Sequence, residues 1–349
     1  MKRSTLVLLV AAILVVGALY YLWRTPAAPA PGAPPDLVSL LPPDASYLLY
    51  ANAAALRASP FIQELLRQLP ASAEDRDYQE FVAATGFDYA RDLDRLAVAI
   101  HSSEGKDSAM ALADGRFDRQ KISDYSLKSG QRMRQGGYEG YIITTGNPPK
   151  TAFLFFLNDT RISLSEGAPL HRLSEMENSS PLGERVTRVA AAEVFAIARV
   201  GKIPSHAIPE GWASKEIMET LQSVSWVTFA ARPAGNDMNV VLEAECETPG
   251  SARKLSWGLE GLRLLIRMSL SDPKSRQKMD PVVTALLEVI TRDGKITSAD
   301  RYVRLSFVLT PQFLAAIKAP RSSPQNGAME RTSPPPAEKA RSPKSPAPK

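Results

Sequence analysis

Three Ser-x-x-Lys pairs, Ser103–Lys106, Ser251–Lys254 and Ser271–Lys274, together with the run Lys150-Thr151-Ala152, are the residues whose types and spacing could support covalent catalysis. A serine one helical turn ahead of a lysine lets the amine take the hydroxyl proton, the arrangement of acyl-transferring enzymes. The surroundings oppose that reading. Ser103 falls in an expected turn with Gly105, not at a helix start, the other two serines follow Lys150 in the chain, and no Ser-x-Asn element is evident. His101, His171 and His206 lack the i, i+4 or CxxC spacing that gathers metal ligands. Asp88, Asp92 and Asp94 alternate with Arg91 and Arg95 and lack the glycine-centred loop of a calcium site, so they read as a solvated charged turn. No Gly-x-Ser-x-Gly elbow, phosphate-binding loop or dinucleotide fingerprint occurs, and the sequence therefore assigns no catalytic, cofactor-binding or metal-binding residue.

Composition narrows the classes further. The chain has 349 residues and a formal net charge of +5, but residues 1–35 contribute +3 and residues 319–349 contribute +4, leaving −2 for residues 36–318. The expected body is therefore not basic, and nucleic-acid binding, which needs cations gathered on one folded face, is set aside. A single cysteine, Cys246, allows no internal disulfide; it shares strand parity with Leu242 and Ala244 and reads as a small buried residue.

What would position the body begins at the N-terminus. No charged residue lies between Ser4 and Trp23, and this apolar run is long enough to cross a ~30 Å hydrocarbon layer at ~1.5 Å per residue. Tyr20, Tyr21 and Trp23 end it with rings suited to the headgroup region, and Lys2 and Arg3 precede it, so the positive-inside bias leaves the N-terminus cytoplasmic. A cleaved signal peptide is the competing reading, with small residues at Ala28, Ala30 and Ala33, but the surrounding prolines crowd each cut site. The expectation is a single-pass signal-anchor in the inner membrane over residues 1–24, a Pro/Ala-rich linker over 25–35, and a periplasmic body. Residues 319–349, rich in Pro, Ser, Lys and Arg, are expected to be a disordered basic tail.

Inside the body, Ser59-Pro60, Asp280-Pro281 and Thr310-Pro311 each set an N-cap oxygen before a proline suited to a first helical turn. Ile62, Leu65, Leu66 and Leu69, then Val283, Leu286, Leu287 and Ile290, repeat at the spacing of one buried helix face, and Leu255, Leu259, Leu262 and Ile266 mark a longer helix over about 251–268. Period-two runs such as Leu96, Val98, Ile100 and Val303, Leu305, Phe307, Leu309 predict strands. Asn147-Pro148-Pro149, Asn158-Asp159, Gly235-Asn236-Asp237 and Asp293-Gly294 predict the turns between antiparallel neighbours, and a further helix is expected over 118–134. The order of elements recurs, which predicts an α+β fold built as a tandem pseudo-repeat of largely antiparallel sheets with packed helices, with copies at 36–185 and 186–318 and an insertion near 71–92 in the first.

The segment Leu41-Pro42-Pro43-Asp44-Ala45-Ser46-Tyr47-Leu48-Leu49-Tyr50 before the helix at Ser59-Pro60-Phe61, and Ala113-Asp114-Gly115-Arg116-Phe117-Asp118 before Lys121-Ile122, resemble uncharacterised bacterial membrane-anchored envelope proteins of unknown function. The resemblance spans about the first half of the body and implies a location without adding chemistry. The resulting expectation is a non-enzymatic envelope protein, held to the membrane by its N-terminal helix and presenting a surface to a protein or cell-wall partner. The alternative is an extracytoplasmic hydrolase with a site between the two repeats.

Overall fold

The computed structural model describes residues 36–68, 76–103, 106–145, 150–166, 181–200 and 222–318. The expected membrane span, linker, basic tail and the turn at Asn147-Pro148-Pro149 lie outside them. No helix among the described residues is long and apolar enough to cross a membrane.

Those residues form an α+β structure of eleven helices and one twelve-stranded antiparallel sheet. Its strands are β1 (Tyr47–Asn52), β2 (Leu93–Ser103), β3 (Lys106–Gly115), β4 (Gly130–Gln135), β5 (Tyr138–Thr145), β6 (Lys150–Phe156), β7 (Arg161–Glu166), β8 (Val194–Arg199), β9 (Val224–Ala234), β10 (Asp237–Cys246), β11 (Lys295–Ala299) and β12 (Tyr302–Leu309). The order across the sheet is β11-β12-β10-β9-β8-β1-β2-β3-β7-β6-β5-β4. β1 and β8 pair antiparallel near its middle, with Tyr50 opposite Phe195. Outward from that pair the order reads β1-β2-β3-β7-β6 one way and β8-β9-β10-β12-β11 the other; β4 and β5 extend the first side.

Alternation along the strands gives the sheet two unlike faces. On one, Leu49, Leu96, Val98, Phe229, Val240 and Phe307 form a core with helices running from Pro60–Gln68 (α3), Pro281–Asp293 (α10) and Pro311–Lys318 (α11). A shorter helix, Ala53–Ala58 (α2), leads into α3, and the helix Arg119–Leu127 (α6) covers Tyr141 and Phe156 on the same face through Ile122. The helix Pro249–Ser271 (α8) packs there too, enclosing Cys246 among Val224, Ala252, Leu255 and Val303. On the opposite face Leu48, Tyr50, Ala97, Leu112, Phe195 and Ile197 are covered by a short helix, Asp36–Ser39 (α1), and by Pro181–Val189 (α7). The remaining helices are Arg76–Thr85 (α4), Tyr89–Asp92 (α5) and Pro273–Lys278 (α9).

The caps follow the proline signals closely. Ser59 Oγ accepts from the Ile62 N–H, Asp280 Oδ1 accepts from Val282 and Val283, and α11 begins at Pro311. Three expectations need correction. The helix expected to reach Arg134 ends at Leu127, and 130–135 is strand β4. Gly130 lies so close to the Ile142 carbonyl that no side chain fits, and Gly136 and Gly137, with φ of 59° and 86°, close a two-residue hairpin into β5. That pair of left-handed residues suits the twist of a tight hairpin and breaks a helix. Asp293-Gly294 closes no hairpin; Gly294 caps the C-terminus of α10, its N–H donating to the Ile290 carbonyl. On α3 the buried face is Phe61, Ile62 and Leu65, whereas Leu66 is 54% exposed, so the covered sector is rotated toward Phe61; Leu69, expected on the same face, lies outside the described residues.

Candidate functional site

Two arginine–carboxylate networks occupy the face that carries α1 and α7. In the first, three adjacent strands place Arg95, Asp114 and Arg161 side by side in register, and Asp36 at the start of α1 lies over them. Arg95 reaches Asp36 Oδ1 and Asp114 Oδ2 at 2.6 Å each. Arg161 donates from Nε to Asp114 Oδ1 at 2.6 Å and from Nη2 to Asp36 Oδ2 at 2.8 Å. The four side chains form a closed ring of charge-assisted hydrogen bonds. Burial works to raise the Asp36 carboxyl, but the Arg161 hydrogen bond and the Arg95 charge outweigh it and hold it below the ordinary range. Hydrogen bonding to Asp114 pushes the Arg161 guanidinium up.

In the second network Glu243 and Glu245, two residues apart on β10, point to one side. Glu243 accepts from Arg188 of α7 and, at 2.7 Å, from Arg304 of β12. Glu245 pairs with Arg185 of α7 at 2.7 Å and with Arg301 at 3.1 Å. The arginines also stack on rings, Arg185 at 4.3 Å over Trp226 and Arg188 at 3.9 Å over Tyr302, which adds cation–π attraction to the ion pairs. Two strand carboxylates at this spacing would suit a glycoside-cleaving acid–base pair in an open cleft. Here the cavity lined by Arg188, Thr228, Glu243 and Arg304 measures about 20 Å³, room for a single water. With both carboxylates bound by cations, the arrangement fastens α7 to the sheet.

The residues singled out from the sequence are dispersed. His101 lies near the end of β2 with Nδ1 3.3 Å from Asp44 Oδ2, while His171 and His206 lie outside the described residues. Ser103 and Lys106 are backbone register partners where β2 and β3 meet. Ser251 belongs to the first turn of α8, where its N–H is capped by Thr248 Oγ1; Ser271 ends that helix with its hydroxyl donating to the Arg267 carbonyl. Lys150 pairs with Glu166 at 2.5 Å. Burial pushes the Cys246 thiol up, away from the thiolate form a nucleophile needs.

Asp88, Asp92 and Asp94 are tied into structure. Asp88 caps α5 by accepting from the Ala90 N–H and accepts from the Tyr78 hydroxyl at 2.8 Å. Asp94 pairs with Arg57 at 3.1 Å. Asp92 accepts from Arg91, from Arg116 and from the Asp88 N–H. The Arg91 hydrogen bond, against the opposing effect of burial, holds the Asp92 carboxyl far below the ordinary carboxylate range. Because the folded value lies below the unfolded one of about 3.9, the stabilisation from Asp92 is complete above that pH and is lost as pH falls toward the folded value. Urea unfolding of the full chain is therefore expected to show stability declining from pH 6 to pH 3, with a shallower decline in Asp92→Asn; equal slopes would refute the assignment.

Besides the two networks, sequence reasoning missed a feature of α8. α8 has an inward stripe, with Leu255 buried and Leu259, Leu262 and Ile266 half-buried, and also a second apolar face turned outward. On it Trp257 is 73% exposed, Leu264 60%, Leu265 62% and Met268 62%. At 100° per residue these four and Gly261 fall within a sector of about 100°. Single exposed apolar residues are ordinary, but four adjacent ones approach the roughly 300–600 Å² that the largest, often functional, patch on a monomer reaches. The second periodicity was visible in the helix, had the outward positions been read separately from the core stripe.

No family model matches the chain, and no curated protein does. Among solved structures, crystal form I of TP0453 aligns with a TM-score of 0.42 and 9% identity over 82% of this chain and 98% of that one. Crystal form IV of the same protein aligns with a TM-score of 0.40 and 10% identity over 81% and 97%.

Proposed function

We propose that the chain is a non-enzymatic, single-pass envelope protein whose body, outside the cytoplasm, is a pair of α+β repeats that presents a binding surface. The outward apolar face of α8 carries this reading, because it is the exposed feature with no part in holding the described fold together. The two repeats would correspond to β1-β2-β3-β7-β6 and β8-β9-β10-β12-β11, with β4 and β5 as an addition to the first. The span over residues 4–23 supplies the anchor and its flanking charges the orientation. The hydrolase alternative has less support, since the β1–β8 junction holds Tyr50 and Phe195 stacked at 5.0 Å, and Glu243 and Glu245, two strands from it on β10, are each paired with two arginines.

Two measurements test the reading. Alkaline phosphatase fused after Lys318 is expected to be active in a bacterial host, as it is only when exported; an inactive but intact fusion would place the body in the cytoplasm and end the proposal. A photo-crosslinking amino acid at Trp257 is expected to give a discrete adduct in intact cells, whereas one at the buried Leu255 gives none. Equal, weak labelling from both positions would remove α8 as the presented surface.

A further inference from the structure

The chemistry around the exposed face of α8 identifies what it meets. Residues 249–278, comprising α8 and α9, carry seven basic residues against two acidic ones, a net +5 within a body of net −2. Arg253 and Lys254 lie exposed at the N-terminal end of the apolar stripe, Arg267 along one margin, and Lys274 just beyond its C-terminal end. Glu260 lies on the same margin as Arg267, with one oxygen 3.6 Å from Arg263 Nε. An apolar stripe containing a tryptophan and bordered by long cationic side chains is the composition of a helix lying in the headgroup plane, with rings and aliphatic groups inward and charges extended toward phosphates.

The direction of the helix agrees. α8 starts after Cys246 at one end of β10 and runs back along the strand, and Arg263 Nη1 donates to the Gly294 carbonyl at 2.8 Å, just before β11 begins at the level of Val241 in mid-β10. Leu264, Leu265 and Met268 follow that contact, so this half of the exposed stripe runs toward the strand ends at which Arg95 and Arg161 hold Asp36, while Trp257 precedes it. Asp36 is the first described residue after the predicted span and linker. The C-terminal half of α8 and Asp36 therefore lie toward the same end of the strands, α8 over one face of the sheet and α1 over the other.

We infer that the outward face of α8 docks on the anionic surface of the bilayer in which the N-terminal helix is anchored, giving the body a second, reversible membrane contact. A second copy of this chain is a poorer occupant, because pairing two such faces sets one +5 segment against another. The inference rests on the anchored orientation proposed above.

The test uses the full chain with Cys246→Ala and a bimane label on Leu265→Cys, and a second probe at Met268→Cys, reconstituted in vesicles of phosphatidylcholine with or without phosphatidylglycerol. Nitroxide lipids are expected to quench both labels in the anionic vesicles only, with the docked fraction falling at high salt. Arg253→Gln and Lys254→Gln should each lower the ratio of docked to free body about fivefold. Labels that remain open to aqueous iodide in both vesicles, quench equally without anionic lipid, or self-quench with rising protein density would each overturn docking, the last in favour of a second copy. Carbonate extraction of the same vesicles reports the anchor separately, so a protein that washes off sinks the anchored reading whatever the labels show.

Discussion

Phe195→Ala is expected to destabilise the body by about 4 kcal/mol, as a fully buried aromatic deletion leaves both lost transfer energy and a cavity. The ring is completely buried on β8, stacked on Tyr50 of β1 with centroids 5.0 Å apart, and packs in the core that α1 and α7 cover. Few positions sit so directly on the line where the two halves of the sheet join. The expected fall in melting temperature is about 8 °C for a body of this size, and Phe195→Leu, which keeps most of the volume, should cost under about 1.5 kcal/mol. Urea unfolding of the full chain in mild detergent, followed by circular dichroism, measures both. Because β1 and β8 are hydrogen-bonded neighbours in one sheet, the variant is expected to unfold in a single transition. A loss below about 1 kcal/mol would mean the cavity collapses without cost and the junction is not the joint it is taken to be.

Arg161→Ala is the second large effect, expected at about 3 kcal/mol. The Arg161 side chain is 15% exposed and that of Asp114 10%, so removing the cation leaves a buried carboxylate with Arg95 as its remaining ring partner. Coulomb attraction here is little screened by salt, so the loss should persist at high ionic strength, unlike that of a surface pair. Replacing both members, Arg161→Met with Asp114→Leu, is expected to recover most of the stability, because the desolvation cost disappears with the charges. The ring also fastens α1 to β2, β3 and β7, so protease cleavage near Asp36 should quicken in Arg161→Ala and return to its original rate in the double variant. A single variant as stable as the parent would reduce the ring to a surface feature.

The regular elements were the most legible part of this chain. Pro60, Pro281 and Pro311 mark helix starts because proline's fixed φ and missing N–H suit that position. The alternation in β12 survives because its Val303, Phe307 and Leu309 face is covered while Arg304 and Ser306 lie on the other; in β2 both faces are buried, and the alternation is of large Leu96 and Val98 on one face with small Ala97 and Ala99 on the other. Where two local preferences competed, sequence reasoning went astray. A long helix was expected after Asp118, but pairing of 130–135 with β5, tight at Gly130 and closed by the left-handed Gly136 and Gly137, makes its second half a strand. Propensity is a weak prior that a tertiary partner overrides.

The candidate site was hidden for a related reason. Glu243, Glu245, Arg185 and Arg188 are unremarkable as residue types, and nothing local says that α7 will lie over β10 and bring the four together. The outward face of α8 was present in the sequence, but its leucines were indistinguishable from core residues until the packing showed which stripe the sheet covers.

By itself, then, the sequence determined the apolar segment before residue 24 and the class and most boundaries of the described helices and strands, properties set by neighbours within a few residues. The tertiary structure alone decided that β1 and β8 join the halves into one sheet, that the conspicuous carboxylates are clamped by arginines, and that one face of α8 is left in solvent. Strand order, charge pairing and exposure depend on which distant segments meet, and those contacts are set by packing of the whole chain.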